Sequence, residues 1–497
     1  MAVSSVDGPL GAVRRAPFGV LTCLWFFFLF VTGCSVSETS SSGTSEEEAE
    51  SPADRPNIVF VLADDLDYAS AQKMPQIRSR LIEEGASFEN AFVSYPLCCP
   101  SRATILTGLY AHNHDVKGNT PAYGGFQTFR DEGHEENTIA VRLQEGGYRT
   151  AYFGKYLNGY PGEEDPAHVP PGRDEWHGLE TEYTYSEYDL NENGEVVSYG
   201  KKPENHLDDV LSSKALEYVG GATEDTEPFF LYLAPHAPHL PAAPAKRHRK
   251  AFAEEEALRP PSFDEEDVSD KPYWLRQRQR ISEKEVSNID NRYHRRLESM
   301  LAVDEMVASL IQELEAAGEL DNTFIFLTSD NGWYQGEHRI HIEKSFPYEE
   351  AARVPLFLRG PEVTPGSTVQ KLALNTDLAP TFAELAGVEF LADGHSLVPL
   401  VRGEDPRWRS AVLLEGFGEY FDVGSGPPAY GAVRTETHKY VEYDNGEREL
   451  YDLRTDLYEL ESLHESADPS VLGDLKAKLD ALKTCSKEGC WEAENIP

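Results

Sequence analysis

Four runs of consecutive apolar residues stand out along the chain: 57–62 (NIVFVL), 150–153 (TAYF), 228–233 (PFFLYL) and 323–327 (TFIFL). Each is short and rich in β-branched or aromatic residues and shows no alternation, the pattern of a strand covered on both faces. Between them the apolar positions return to three- and four-residue spacing. Leu297, Met300, Val303, Val307, Leu310 and Leu314 predict a long helix over 295–320. Shorter helices are predicted over 76–84, closed by Gly85, and over 138–146 and 208–219.

This alternation predicts an α/β fold, a mostly parallel sheet flanked by helices on both faces. In such sheets ligands sit beyond the carboxyl ends of the strands. Those ends carry Asp64-Asp65 after the first run, His236 and His239 after the third, and Asp330-Asn331 after the fourth. After about residue 400 the character changes. Short strand patterns at 412–414, 440–443 and 449–453, then a helix over 470–482, predict a smaller C-terminal α+β subdomain over 401–497 behind a main domain over 57–400. Two polar stretches, 160–205 and 240–294, interrupt the main domain, and the sequence shows no internal repeat.

The chain has 497 residues, 40% of them hydrophobic, enough for a normal packed core. Its formal charge of −41 argues against nucleic acid as a partner, so any anionic substrate needs a local basic pocket. Basic clusters at 246–250, 276–280 and 292–296 either rim an anionic polymer or are solvated faces paired with neighbouring acids.

The N-terminus reads as a targeting segment. Arg14 and Arg15 precede an apolar run over 18–31 that is short for a membrane span. Val31-Thr32-Gly33-Cys34 resembles a lipoprotein box, which makes 1–34 a signal with Cys34 as the lipidated residue; a plain signal peptide and a retained anchor are the alternatives. Residues 35–56 contain few large apolar side chains and are expected to form a disordered tether. An exported protein held at the cell surface by its lipid, or otherwise secreted, is the expectation. Of six cysteines, Cys23 lies in the signal, and Cys485 and Cys490 are close enough to bond locally in an exported protein.

The chemistry centres on Cys98-Cys99-Pro100-Ser101-Arg102, directly before an apolar helical run. At a helix start the free backbone N–H groups and the dipole favour negative charge. Arg102 adds a planar cation suited to a tetrahedral oxyanion. Taken alone, the pair could also be buried structural cysteines. Asp64, Asp65, Asp330 and Asn331 offer hard oxygen donors, suited to calcium or magnesium rather than zinc.

Cys98-x-Pro100-Ser101-Arg102-x-x-x-Leu106-Thr107-Gly108 resembles the signature of type I sulfatases of the alkaline-phosphatase-like superfamily. The likeness runs over 57–387 and more weakly to Leu453. The doubled cysteine, His112-Asn113-His114 and the segment Gly154-Lys155-Tyr156-Leu157-Asn158 are similar to the N-acetylglucosamine-6-sulfatase branch, which includes heparan endosulfatases. The resemblance implies that a maturation enzyme oxidises Cys98 to formylglycine. It implies one divalent cation, usually Ca²⁺ with Mg²⁺ as the alternative, on Asp64, Asp65, Asp330, Asn331 and the modified residue 98. Arg102 then activates the hydrated aldehyde, Lys155 and Lys344 bind the sulfuryl oxygens, and His239 protonates the leaving alcohol. His236 lines the pocket or is a structural loop residue, and His338 is a further pocket candidate. Many sulfatases carry a histidine where this chain has Leu157, so the hydrogen bond it gives must come from elsewhere or be absent. The implied activity is hydrolysis of a sulfate ester on a sulfated carbohydrate, with N-acetylglucosamine 6-sulfate the specific guess. The rivals are a phosphonate or phosphate monoester hydrolase on the same scaffold and a non-catalytic surface glycan-binding protein.

Overall fold

Asn57–Ala63 is the central strand, with Phe229–Ala234 parallel to it on one side and Thr323–Ser329 on the other. Arg149–Gly154 lies parallel beyond Phe229–Ala234. The computed structural model describes residues 55–162, 165–180, 184–418 and 427–496. The expected signal, with Cys23 and Cys34, and nearly all of the expected tether lie outside these residues.

Side chains of one strand alternate between the two faces of its sheet, and here each face has its own core. Ile58, Phe60 and Leu62 pack with residues of the helices Cys98–Thr107, Ile139–Glu145 and Leu378–Ala386. Val59, Val61 and Ala63 pack with residues of Leu207–Ala222 and Glu283–Ala317. Burial on both faces is why these strands read as unbroken apolar runs.

Among the described residues this sheet has ten strands. Beside Thr323–Ser329 lies antiparallel Leu356–Arg359, then Ala86–Phe88 and Ser367–Val369. Beside Arg149–Gly154 lies parallel Glu175–Leu179, followed by antiparallel Tyr188–Glu192 and Glu195–Tyr199. The stretch 160–205 therefore extends the sheet rather than interrupting it. Its anchors, Trp176, Leu179, Tyr188 and Leu190, are buried but spaced among acids and amides, which hides the strand pattern.

The long helix Glu283–Ala317 begins well before its predicted start. Ser282 caps it by accepting from Glu285 N–H, and the turns before Arg295 are mostly polar, so apolar spacing does not report them. A second, four-stranded antiparallel sheet contains Ala411–Gly416, Tyr430–Thr435, His438–Tyr443 and Arg448–Asp452. The sequence pattern does not announce Tyr430–Thr435. Leu475, Leu479 and Leu482 of helix Pro469–Leu482 pack on this sheet, together with Phe92 and Tyr110 of the main body. Cys485 and Cys490 are disulfide-bonded. Among the described residues no helix is long and apolar enough to cross a membrane.

Candidate active site

Four adjacent parallel strands deliver their carboxyl ends to one place. Asn57–Ala63 leads into Asp64-Asp65, Thr323–Ser329 into Asp330-Asn331, Phe229–Ala234 into the loop with His236 and His239, and Arg149–Gly154 into Lys155. Hydrogen bonds staple these ends together. Asp65 N–H donates to Asp330 Oδ1 (3.0 Å), Leu66 N–H to Ser329 Oγ (2.8 Å), Asp64 N–H to Ala237 O (3.3 Å) and Lys155 N–H to Ala234 O (2.9 Å). Gly154 sits at φ +112°, where a Cβ would lie 2.0 Å from Ala234 O; only glycine lets the two strand ends approach this closely.

Cys98 is the first residue of helix Cys98–Thr107 and is buried. The helix closes at Gly108, which takes the left-handed conformation (φ +68°) against Ala392. Cys98 Sγ lies 2.8 Å from Lys344 Nζ, 3.6 Å from Asp64 Oδ1 and 3.9 Å from Asp65 Oδ1. Cys99 faces the apolar core instead. Lys155 Nζ donates to Asp64 Oδ2 (2.7 Å), and Lys344 Nζ pairs with Asp65 Oδ1. Arg102 donates from Nε to Asp330 Oδ2 (2.7 Å) and from Nη1 to Lys155 O (2.7 Å), leaving Nη2 without an acceptor.

His236 Nδ1 is 3.1 Å from Asp64 Oδ2, and its buried Nε2 has no partner. His239 Nδ1 is 2.6 Å from Leu240 O, a contact that needs an N–H there, so Nε2 of the neutral ring turns its lone pair toward Asp65 Oδ2 at 3.6 Å. The two imidazoles lie 4.8 Å apart. Tyr185 OH donates to His239 O (2.7 Å) and fixes the loop.

Charge balance follows from burial and neighbours. Burial alone would raise the Asp64 carboxyl, but Lys155, the hydrogen bond to His236 and Arg102 hold it well below the usual carboxylate range. Burial works against Asp65 in the same way, and Lys344 keeps its carboxyl low. Burial disfavours the charges of Lys155 and Lys344, yet Asp64 and Asp65 respectively keep both ammoniums firmly protonated. Burial pushes the Cys98 thiol far up despite both lysines, so it is no thiolate nucleophile at neutral pH. Burial also holds His239 neutral, its imidazole lowered to about 3 despite Asp64 and Asp65.

The donor set fits a divalent cation. One ligand atom each from Asp64, Asp65, Cys98 and His239 lies within 4.8 Å of the others. Asp65 Oδ2 and Asn331 Oδ1 are buried without a hydrogen-bond partner, and both are hard oxygen donors. Asn331 Nδ2 meanwhile donates to Asp65 Oδ1 (2.8 Å) and Gly332 O (2.9 Å).

The structure thus brings Asp64, Asp65, Cys98, Arg102, Lys155, His236, His239, Asp330, Asn331 and Lys344 into one cluster. It does not bring in His338. That ring stacks on Tyr348 at 4.2 Å and contacts Glu265 and Glu350, because the backbone turns back on itself at His338 and Arg339, both at positive φ. Leu157 packs in the apolar cluster with Phe126 and Tyr156. Arginines of the basic clusters meet acids: Arg247 meets Asp209 and Glu305, Arg278 meets Glu343, Arg280 meets Asp264 and Arg292 meets Glu285.

Sequence reasoning missed Arg296. This buried guanidinium donates to Asp65 O, to Pro238 O (3.3 Å) and to Asp67 Oδ2 (3.3 Å), and lies over the Trp333 ring at 5.0 Å. Its signal was present. Ile289, Tyr293, Arg296, Met300, Val303 and Val307 share the buried stripe of the long helix, so Arg296 is a charge at an apolar position.

A family model described as Sulfatase matches residues 56–388, and one described as N-sulphoglucosamine sulphohydrolase, C-terminal, matches 336–485. The chain is 35% identical over 475 residues to the N-acetylglucosamine-6-sulfatases of Homo sapiens and Capra hircus. The match covers 88% of this chain, 86% of the human protein and 85% of the goat protein. Its fold matches a structure described as in complex with its substrate D-glucosamine-2-N,6-O-disulfate, with a TM-score of 0.75 at 24% identity, covering 89% of this chain and 99% of that one. The chain therefore belongs to the sulfatase family, with the alkaline-phosphatase-like fold, and is a sulfuric ester hydrolase.

Proposed function

We propose that this hydrolase removes sulfate esters from glycans outside the cell, with 6-O-sulfated N-acetylglucosamine as the substrate class, and that it does so after a maturation enzyme has converted Cys98 to formylglycine. The observation that carries the reading is the meeting of Cys98 Sγ with Lys344 Nζ at 2.8 Å above the Asp64 and Asp65 carboxylates. The names and 35% identity of the N-acetylglucosamine-6-sulfatases support the sugar.

Formylglycine supplies a hydrated-aldehyde hydroxyl in place of the inert thiol, and calcium, with magnesium the alternative, supplies fixed positive charge beside it. Asp64, Asp65, Asp330 and Asn331, with residue 98, would hold the ion. Arg102 orients residue 98 and presents Nη2, a donor with no acceptor in the protein. Lys155 and Lys344 receive the sulfuryl oxygens as negative charge enters the site. His236 lines the substrate side with its unpartnered Nε2. His239 is neutral at rest; an entering sulfate beside Nε2 raises its proton affinity, so Nε2 takes up a proton from solvent as the substrate binds and hands that proton to the departing alcohol.

The same reading has residues 57–400 as the catalytic domain, 401–497 as a C-terminal subdomain, and the exported chain tethered through lipidated Cys34. A mass matching a diacylglyceryl-modified Cys34 supports the tether, and a free N-terminus downstream of it counts against it.

Inorganic sulfate release by the matured chain tests the substrate. N-acetylglucosamine 6-sulfate is expected to turn over faster than galactosamine 4-sulfates, uronate 2-sulfates and an aryl phosphate. A preference for the 4- or 2-sulfated sugars overturns the assignment of sugar, and a preference for the phosphate overturns the sulfate reading itself.

A further inference from the structure

A second group of metal-capable side chains lies apart from the Cys98 cluster. A ring nitrogen of His338 and carboxylate oxygens of Glu350 and Glu459 all lie within 4.8 Å of one another. His338 is fully buried and Glu459 nearly so. His338 Nδ1 is 2.8 Å from Glu265 Oε2, which places an N–H on Nδ1 and turns Nε2 toward the two other carboxylates. A carboxylate behind one ring nitrogen is the arrangement that orients metal-binding imidazoles.

Independently of the acids, His338 Nε2 has no hydrogen-bond partner, and neither does the buried oxygen Oε2 of Glu350. The two atoms stand 3.7 Å apart, too far to bond each other. A bare ring nitrogen facing a bare carboxylate oxygen is costly in a protein interior unless a cation or a proton satisfies both. Glu459 Oε1 lies 2.7 Å from Lys439 Nζ, which also pairs with Glu349 Oε1 at 2.9 Å. A carboxylate has lone pairs for a lysine and a cation together, and Lys155 on Asp64 repeats that pairing in the Cys98 cluster. A cavity of about 620 Å³, lined by Glu337, Glu349, Trp333 and Tyr458 among others, reaches the group at Glu350 and has room for water.

We infer that His338, Glu350 and Glu459 form a second divalent-cation site, with Glu265 orienting the imidazole. One imidazole, two carboxylates and a water make a four-coordinate set suited to zinc or a similar first-row ion. His338 and Glu350 flank Lys344 in sequence, and Glu459 follows strand Arg448–Asp452. A cation here would pin both ends of the Lys344 segment to the C-terminal sheet.

Zinc is the probe. The full mature chain is stripped with a chelator, held in excess calcium to occupy oxygen-rich sites, titrated with zinc and freed of loose metal by gel filtration. The wild type is expected to retain zinc whose X-ray absorption shows one imidazole among oxygen ligands. Glu350→Gln, which keeps the side-chain shape, is expected to weaken zinc binding about tenfold or more, and Glu265→Gln about tenfold. Wild-type protein that retains no zinc overturns the site without recourse to any variant. Zinc held equally by wild type, Glu350→Gln and Glu459→Gln identifies an adventitious ion only. A His338 Nε2–H signal that persists in the zinc-treated protein assigns the gap to a proton and equally overturns the inference.

Discussion

The ammonium of Lys344 stands 2.8 Å from the sulfur of Cys98 and pairs at the same time with Asp65 Oδ1. Residue 98 therefore shares its cation with a carboxylate, yet burial still keeps the thiol protonated. An unconverted thiol, or a serine hydroxyl in its place, lacks the second hydroxyl that lets a hydrated aldehyde release sulfate. Cys98→Ser is expected to lose multiple turnover while folding normally, as measured by sulfate release over many enzyme equivalents and by circular dichroism. Sustained wild-type turnover would remove formylglycine from the mechanism.

Lys155, at the end of strand Arg149–Gly154, and Lys344, in a loop, are the two ammonium groups of the cluster, and each faces a carboxylate that keeps it charged. Their value to the reaction lies in charge that builds on the sulfuryl oxygens. Lys344→Ala and Lys155→Ala are each expected to lower kcat by about 10²–10³-fold. A rise in KM with kcat unchanged would instead assign the lysine to uniform substrate binding.

Arg296 touches none of the cluster's side-chain donors, but holds Asp65 O and Pro238 O and so spaces the Asp64-Asp65 turn from the His236–His239 loop. It is a positioning residue. Arg296→Met is expected to cost about 3 kcal/mol of stability, because Asp67 keeps its hydrogen bonds from Ser70 but loses its buried cation, and Asp65 O loses its donor. It is also expected to lower kcat more than it changes KM, with part of the loss recovered in Arg296→Lys. Unfolding curves and steady-state kinetics on the same preparations separate the effects, and an unchanged kcat confines Arg296 to stability.

Legibility in the sequence followed burial. The four inner strands were readable because both of their faces are covered; Asp64, Asp65, Lys155, His236, His239, Asp330 and Asn331 were readable because they follow those strands, and Cys98 and Arg102 because they share one short motif at a helix start. Lys344 has no strand before it and was placed through the family resemblance alone. The edge strands at 175–199 were not readable, since their buried anchors are separated by solvated acids. Arg296 belongs by sequence to the basic run 292–296, which points to a rim or a solvated face, whereas its place on the apolar stripe buries it. His338 is a pocket candidate by sequence, but the positive-φ pair His338-Arg339 sends it to Glu265 instead.

The hard-donor set predicts a response to metal. Asp64 and Asp65 are neighbouring buried carboxylates, and Asp65 Oδ2 and Asn331 Oδ1 lack partners. Calcium added to chelator-treated protein is expected to raise the melting temperature in a concentration-dependent way. In Asn331→Ala the rise is expected to shrink. A melting temperature indifferent to calcium and magnesium in the wild type would argue that the lysines alone balance the carboxylates.

His112, four residues after Gly108 at the end of the Cys98 helix, presents both ring nitrogens to acceptors: Nδ1 to Glu415 Oε2 at 2.9 Å and Nε2 to Cys485 O at 3.0 Å. Only an imidazolium donates to both. Burial lowers its proton affinity, but the Glu415 carboxylate more than offsets this and raises the pKa above 6.5. A histidine raised in the folded state contributes stability that is complete below its unfolded value and is lost as pH climbs through the folded one. The contact ties the disulfide loop of Cys485 and Cys490 to the segment that follows the Cys98 helix. His112→Gln is therefore expected to destabilise the protein by about 2 kcal/mol below pH 6.5. The difference from wild type narrows steadily as the pH is raised past the folded-state value, in denaturant unfolding followed from pH 5.5 to 9. A gap of constant size across that range would mean that His112 acts there as a neutral ring, and that packing rather than charge holds the loop.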